Sequence, residues 1–387
     1  MPLINRAHEM QQDVAGWRRH LHQKPELMYD VHETSRFIAG KLRAFGCDSV
    51  ETGIGKTGVV AIIRGRHGDG GVIGLRADMD ALPITEASGK AWASIVPGKM
   101  HACGHDGHTA MLLGAAQYLA ETRNFKGTVA VIFQPAEEGG AGALAMIDDG
   151  LMERFGIGEV YGMHNAPGLA VGEFATRKGS IMAATNEFEI AITGRGGHAA
   201  KPQSTIDPVV IAAHTILALQ SIVSRETDPL NSLVISVTQL NGGDASNVIP
   251  DVITLGGTVR TLSPEVRASA RKRLTEIAET TAAVFGGRSV VTYHDGYPVT
   301  FNHERETEFA VGVARDIVGE DAVTADIPPV MGAEDFSYML EKRPGAFIFI
   351  GNGDTASLHN SAYDFNDDAI PYGISYWVSL AERALAA

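Results

Sequence analysis

The sequence predicts an α/β protein: a catalytic domain with a mixed sheet flanked by helices, plus a smaller inserted α+β domain of split-βαβ (ferredoxin-like) type. Three observations carry this reading. Through the first half of the chain, short β-branched and apolar runs alternate with longer segments of helical periodicity, the rhythm of a sheet covered by helices. From about residue 184 the order becomes strand, helix, strand, strand, helix, strand, which is the split-βαβ order. Near the C-terminus the helix and strand rhythm of the first half resumes. The expected division is therefore a discontinuous domain of residues 1–183 and 298–387, with residues 184–297 inserted.

Each element follows from its local pattern. EMQQDVAGWRRHLHQ and TSRFIAGKLRAFG read as helices, the second stopped by Gly46. VVAIIRG and GVIGLRADM read as strands. Then come helix HTAMLLGAAQYLAET, strand GTVAVIFQPAEE, helix AGALAMIDDG and strand EVYGMHN. In the insertion, NEFEIAITG is a strand, DPVVIAAHTILALQSIVS a helix, and SLVISVTQL and DVITLGGTVR two strands. The long helix SPEVRASARKRLTEIAETTAAVF has Ser263 and Glu265 at its start, and SVVTYHDGYP is the last inserted strand. Helix HERETEFAVGVARDIVG, strand GAFIFIGNG and helix AIPYGISYWVSLAERALAA complete the first domain. Sites in such sheets collect at the carboxyl ends of strands, and Asp78, Asp80, Glu137, Glu138 and His164 all stand where a predicted strand runs out.

Composition narrows the function. Of 387 residues, 44% are apolar and 20% charged, ordinary values for a soluble globular protein. With 32 Lys+Arg against 46 Asp+Glu the formal charge is −14. An acidic surface repels polyphosphate, so neither nucleic acid nor an anionic membrane is expected as a partner. No apolar run approaches the ~20 residues of a membrane-crossing helix, and the opening MPLINRAHEMQQDVAGW lacks the apolar stretch of a signal peptide. Cys47 and Cys103 are too few for a disulfide framework, so a cytoplasmic location is expected.

The chemistry is concentrated in a few short stretches. KMHACGHDGHTAM, residues 99–111, places His101, Cys103, His105, Asp106 and His108 closer together than one metal ion could use. Cys103 and His105 lie two apart in an extended segment before a helix that begins near Asp106. Such a pair can chelate one ion or serve two neighbouring ions, although a lone Cys is more often an inert buried thiol. His101, Asp106 and His108 are left to orient the ligands by hydrogen bonds or to cap the helix. RADMDALP puts Asp78 and Asp80 on one face of a strand end, where solvated loop acids are the plainer alternative. In QPAEEGG the adjacent carboxylates of Glu137 and Glu138 repel, so in a cleft they require positive charge. A metal supplies it, one acid ligating while the other takes a proton from the water that the metal activates. Taken alone, the pair has a solvated acidic turn as its alternative reading.

His164 and His359 are lone histidines, a type more often found at the surface or satisfied in a core. Imidazole is nevertheless the commonest metal donor, and both fall at the expected site edge. Cys103, His105, Glu138, His164 and His359 together make five candidate ligands, more than a closed structural zinc site needs. Five donors fit two metals close together, sharing a carboxylate or water and acting on a hydrolytic water.

These motifs, in this order, resemble the co-catalytic metallopeptidase family of aminoacylase, carboxypeptidase G and hippurate hydrolase. The similarity is to its amidohydrolase branch of hippurate hydrolases, N-acyl-L-amino acid amidohydrolases and hydrolases of auxin–amino acid conjugates. It covers nearly the whole chain: WRRHLHQKPEL, RADMDALP, HACGHDGHTA, QPAEEG, GMHN, GRGGHAAKP, NVIPD, GTVRTL, GAEDFSYM and LHN. The resemblance implies Cys103, His105, Glu138, His164 and His359 as ligands of two divalent ions; one thiolate among histidines suits zinc, with manganese, cobalt or nickel as alternatives set by availability. It implies Glu137 as general base and Asp80 as the acid that orients the site. His198 matches a histidine of the inserted domain that helps bind the tetrahedral intermediate, and Asn247 and Arg260 match contacts to the substrate carboxylate. It further implies a small-molecule N-acyl amino acid substrate, an inserted domain serving as lid and dimer contact, and a homodimer or homotetramer.

Two nucleotide-site look-alikes fail. GIGKTG would need its first phosphate-loop glycine at Val50, and GRGGHA cannot open directly into a helix because Pro202 and Pro208 follow. Two other functions stay open: a metallo-dipeptidase or carboxypeptidase, whose substrates also carry an amide and a free carboxylate, and a non-catalytic metal-binding homologue.

Overall fold

The run TVAVIFQ, Thr128–Gln134, is buried from its second residue onward, which demands cover on both faces of its sheet. The computed structural model, which describes residues 3–386, places this run inside an eight-stranded mixed sheet. The spatial order is Ser49–Ile54, Gly58–Arg64, Thr128–Gln134, Val72–Asp78, Glu159–Ala166, Gly345–Gly351, Phe174–Ala175, Val323–Thr324. Strands Thr128–Gln134, Val72–Asp78, Glu159–Ala166 and Gly345–Gly351 are parallel neighbours, so their carboxyl ends share one edge.

Alternation along these strands divides the side chains between the two faces. Val129, Val131 and Phe133, with Ile73, Leu75 and Ala77, enter a core shared with Val14, Leu112 and Trp377. Those three residues come from helices Asn5–Gln23, His105–Thr122 and Ile370–Ala384, which pack on one another. Arg76, equally buried, turns to the opposite face, where its guanidinium lies 5.7 Å from the centre of the Phe336 ring. Helix His32–Ala44 stops as its sequence suggests: Gly46 takes φ +78, its N–H reaches Arg43 O, and the Cys47 N–H reaches Leu42 O.

The chain divides into two units: Met1–Ile181, Phe301–Pro328 and Asp335–Ala387 form the first, and Met182–Thr300 with Pro329–Glu334 the second. The second unit has a four-stranded antiparallel sheet in the order Leu233–Asn241, Val252–Thr261, Ala184–Thr193, Arg288–Asp295. Phe188, Ile190 and Ile192 face helices Pro208–Ser221 and Pro264–Val284 and join Ile211, Leu219, Leu274 and Ala278 in one core. Asp207 and Ser263 cap these helices by accepting from Val209 N and Val266 N. Residues Pro329–Glu334 return to this unit through Ala183 N–H bonds to Val330 O and Gly332 O, outside the 184–297 span read from the sequence.

Two expectations change. The apolar helix and its π-turn together run over Pro208–Glu226, 19 residues at mean hydropathy 1.3, so one run does approach membrane length. Its inner residues Ile211, Ala212, Leu219 and Ile222 lie in the core of the second unit. The two-residue strands Phe174–Ala175 and Val323–Thr324 and the short helix Ser337–Lys342 were not foreseen, because segments this short carry no periodicity.

Leu274 is fully buried beneath the second sheet. Leu274→Ala is expected to destabilise that unit by about 2–5 kcal/mol, read as a lower urea midpoint at unchanged slope. A loss below about 1 kcal/mol would contradict its place in a packed core.

Candidate metal centre and active site

Parallel pairing sets Asp78 opposite Gln134, so the continuations of two strands, Asp80 and the Glu137–Glu138 pair, arrive at the same edge. Asp80 ties them together. Its Oδ1 accepts the Glu137 N–H at 2.9 Å and its Oδ2 accepts the Glu138 N–H at 3.1 Å. Cys103 ends an irregular segment and His105 opens helix His105–Thr122. Between them Gly104 adopts φ +89, and a Cβ there would stand 2.3 Å from Asn165 Nδ2 and 2.5 Å from Tyr363 Oη. Only glycine fits that position.

The five candidate ligands converge. Cys103 Sγ is 3.4 Å from His164 Nε2, and Glu138 Oε1 is 3.3 Å from His359 Nε2 and 3.9 Å from His105 Nε2. His105 also stands 3.7 Å from Asp78 Oδ2 and 3.6 Å from Asp80 Oδ1. Cys103, His105 and His164 form one donor group; Cys103, Glu138 and His359 form a second; His105, Glu137 and Glu138 a third, each with its donor atoms within 4.8 Å of one another. Cys103 and His105 each belong to more than one group, the pattern two neighbouring ions would use.

The donor set fits divalent metal. Both His105 ring nitrogens and Glu138 Oε1 are buried without a hydrogen-bond partner among the described residues. They face their neighbours at 3.3–3.9 Å without hydrogen-bond alignment, close to the roughly 3.3 Å between nitrogen donors around a tetrahedral ion with bonds of about 2.0–2.1 Å. The electrostatics also call for a cation. Burial opposes charge on His105, yet Asp78, Cys103 and Asp80 raise its pKa well above the ordinary value. Cys103 and Glu138 raise that of His359 to about 10.

The candidate ligands are oriented by buried partners. His164 Nδ1 donates to Asn165 O at 2.7 Å, which leaves Nε2 as the bare nitrogen toward Cys103. Burial keeps His164 neutral by holding its pKa well below the usual range. His108 Nε2 accepts the Asn165 N–H at 2.9 Å, so its Nδ1 carries the proton donated to Asp78 Oδ1 at 2.6 Å. Asn165 Nδ2 donates to Cys103 O at 2.6 Å and its Oδ1 accepts from Tyr363 Oη at 2.8 Å. Behind Asp78, Arg76 donates to Asp78 Oδ2 at 2.8 Å, Gln134 Oε1 at 2.8 Å and Asp335 Oδ1 at 2.9 Å. Burial pushes the Asp78 carboxyl up, but His105, Arg76 and His108 together hold it well below the ordinary range.

Not every residue of the dense stretch serves as expected. Asp106 neither caps the helix nor bonds a ligand. It accepts from His22 Nδ1 at 2.8 Å and lies 3.7 Å from Arg18 Nη1. His101 is buried with neither ring nitrogen bonded among the described residues, and burial lowers its pKa to about 4. His359 is half-exposed and sits at φ +62, a conformation costly for a non-glycine residue, with its N–H on Ala102 O at 2.8 Å. Arg76, Asp335, Arg18 and His22 are not among the site residues expected from the sequence. The quoted motifs WRRHLHQKPEL, RADMDALP and GAEDFSYM contained all four, but nothing local marked them as buried.

His198, Asn247 and Arg260 belong to the second unit. His198 stands opposite Val248 in a two-residue ribbon, and Ala199 N donates to Asn247 O at 3.0 Å, so His198 and Asn247 share one exposed turn. Arg260, on strand Val252–Thr261, is half-buried and donates to Thr258 Oγ1 and, at 3.2 Å, to Val259 O.

Comparison with known proteins agrees with this architecture. Residues 74–383 match the sequence profile of peptidase family M20/M25/M40. The chain is 41% identical over 385 residues to a hippurate hydrolase of Campylobacter jejuni, covering 100% of both chains. It is 42% identical over 378 residues to an N-acetyl-L-cysteine deacetylase of Bacillus subtilis, covering 97% of this chain and 89% of that one. A Bacillus subtilis crystal structure described as a dinuclear metal binding peptidase from the M20 family superposes with TM-score 0.86 at 36% identity, over 98% of this chain and 99% of the other.

Burial alone would lower the His22 pKa, but Asp106 and Glu86 outweigh it and raise it to about 9. A group raised on folding contributes stability that is fully present below its unfolded value near 6.5 and is lost as pH rises through the folded value. The stability gap between the wild type and His22→Gln is therefore expected to narrow by roughly 2–3 kcal/mol between pH 6.5 and about 9, measured by urea unfolding. A gap that widens with pH would mean that His22 is buried neutral.

Proposed function

The chain belongs to peptidase family M20/M25/M40, and from that premise we propose that it hydrolyses the amide bond of N-acyl amino acids, releasing a carboxylic acid and a free amino acid. The observation that carries the reading is the Glu137–Glu138 pair, fastened through both backbone N–H groups to buried Asp80 beside the Cys103, His105, His164 and His359 donors. The hippurate hydrolase and deacetylase relatives, each similar over nearly the whole chain, support the substrate class.

Two divalent ions held by Cys103, His105, Glu138, His164 and His359 would supply Lewis acidity, making a water nucleophilic near neutral pH and polarising the scissile carbonyl. One thiolate among imidazoles and carboxylates suits zinc, with manganese, cobalt and nickel as alternatives set by availability. Glu137 accepts the proton of the attacking water and delivers it to the leaving amine, which makes it acid and base in turn. Asp80 fixes the backbone from which Glu137 reaches. His198 donates to the oxyanion of the tetrahedral intermediate. Arg260 and Asn247 bind the free carboxylate of the amino acid, Arg260 through its planar fork. The substrate is a small molecule. Homodimers or homotetramers form through the second unit, whose sheet leaves Leu233–Asn241 and Arg288–Asp295 as edges. Two free cysteines suit a reducing, cytoplasmic setting.

Glu137→Gln is expected to lower kcat by about 10²–10⁴-fold while metal content by elemental analysis stays at the wild-type level. Chelation should abolish activity and added divalent metal restore it. Substantial turnover in the variant removes the general-base role, and activity that survives complete metal removal removes the metal-dependent reading. Parallel assays on N-acetyl, N-benzoyl and dipeptide substrates separate an amidohydrolase from a dipeptidase or carboxypeptidase, and no turnover on any, in the metal-loaded protein, would indicate a non-catalytic homologue. Sedimentation should give a dimer or tetramer; a fully active monomer would remove the assembly.

A further inference from the structure

The run WRRHLHQ of helix Asn5–Gln23 has no part in the hydrolysis proposed above, yet it puts a fully buried cation, Arg18, behind the metal centre. Arg18 Nε donates to Asp367 Oδ1 at 2.8 Å and its Nη1 to Asp364 Oδ1 at 3.3 Å, with Asp106 Oδ2 3.7 Å away. Asp364 and Asp367 follow His359 on the same loop, and Asp106 follows His105 directly. One guanidinium thus touches both chain segments that bring ligands from opposite ends of the sequence.

The surroundings reinforce the same two segments. Arg19 Nε donates to Asp367 Oδ2 at 2.8 Å, Trp92 Nε1 to Asp364 Oδ1 at 3.0 Å, and Lys90 Nζ lies 3.2 Å from Asp364 Oδ2. His22 holds Asp106 at 2.8 Å and Glu86 at 3.2 Å. The loop closes on itself where the Asn366 N–H meets Asn352 Oδ1 at 2.9 Å. His359 is tied by its own N–H to Ala102 O at 2.8 Å, but its side chain is 54% exposed and its backbone is in the left-handed region. That single backbone bond does not hold the ring, which relies also on the loop's other anchors.

We propose that Arg18 is a positioning residue for the metal centre, holding the His359 loop against the Cys103–His105 segment so that the ion using His359 can bind. Without Arg18, Asp106 keeps only His22, and Asp364 and Asp367 keep only the half-exposed cations Lys90 and Arg19, so no cation joins the two segments and repulsion between their carboxylates spreads the loop. Lysine keeps the charge but cannot span three carboxylates as the guanidinium fork does. The proposal rests on the ligand assignment above.

The test titrates Zn²⁺ into the metal-stripped full-length protein by calorimetry with a competing chelator, alongside thermal melts of each metal-free form. The wild type should bind two ions and His359→Ala one. Arg18→Met, and separately Asp364→Asn with Asp367→Asn, should weaken one of the two ions by about 10–100-fold, the range for partners that orient ligands, and leave the other within about twofold. Arg18→Lys should fall between. Adding Arg18→Met to His359→Ala should leave the remaining ion as it is in His359→Ala alone. Two-site binding unchanged in Arg18→Met, or both ions weakened equally in step with a lower melting temperature, overturns the proposal. If Arg18→Met does not fold, the Asp364→Asn, Asp367→Asn protein decides by the same criteria. Retention of both ions by His359→Ala overturns the ligand assignment and the proposal with it, whereas loss of one ion there beside unchanged binding in Arg18→Met overturns the proposal alone.

Discussion

Burying Asp78, Asp80, Asp106, Glu137 and Cys103 at one end of a sheet is the constraint on which the rest of the structure depends. An ionised carboxylate removed from water is tolerable only when hydrogen bonds and opposite charge replace its hydration. Two buried arginines answer this from different directions. Arg76 comes from within the sheet and bonds Asp78 and Asp335. Arg18 comes from the N-terminal helix and reaches Asp364 and Asp367, with Asp106 beside it. Each neutralises a carboxylate from the outside. The inner faces, where His105, Glu138 and Cys103 crowd together, are where divalent ions would add positive charge.

This division explains why some of the site was legible in the sequence and some was not. Candidate metal donors are drawn from few residue types, so Cys103, His105, Glu138, His164 and His359 could be named from the sequence, and the structure brings them together. The arginines could not be, because their meaning lies in partners 259 and 349 residues away, Asp335 and Asp367. Nothing local separates Arg18 from Arg19, although one is fully buried and the other exposed at its tip. Asp106 misled for the opposite reason. It is next to a candidate ligand in sequence, but one helical step of about 100° turns it away from His105's neighbours and toward His22.

The fold shows the same contrast. Helices such as Pro264–Val284, and strands such as Thr128–Gln134, announce themselves by length and apolar pattern. Two-residue strands exist only because a neighbour offers hydrogen bonds, as Gly345–Gly351 does for Phe174–Ala175. The apolar helix starting at Pro208 is placed in the inserted unit by the order of elements, not by its composition, which suits either a core or a membrane. Its packing against Leu274 and Ala278 shows which residues it buries.

Asn165 shows how few residues it takes to turn these elements into a site. Its carbonyl fixes the His164 tautomer and its N–H fixes that of His108. Its side chain ties the Cys103 carbonyl to the Tyr363 hydroxyl, four residues past His359. One asparagine at the end of a central strand therefore touches the supports of three candidate ligands on three different segments. Gly104 must lack a side chain because that asparagine and Tyr363 occupy the space. The amide is suited to this work because it donates and accepts at once without charge. A carboxylate in its place would add a negative charge where four are already buried and would lose the donor that holds Cys103. The clustering of histidines and acids marks where the chemistry is, while the neutral residue among them sets which nitrogen of each ring can take part.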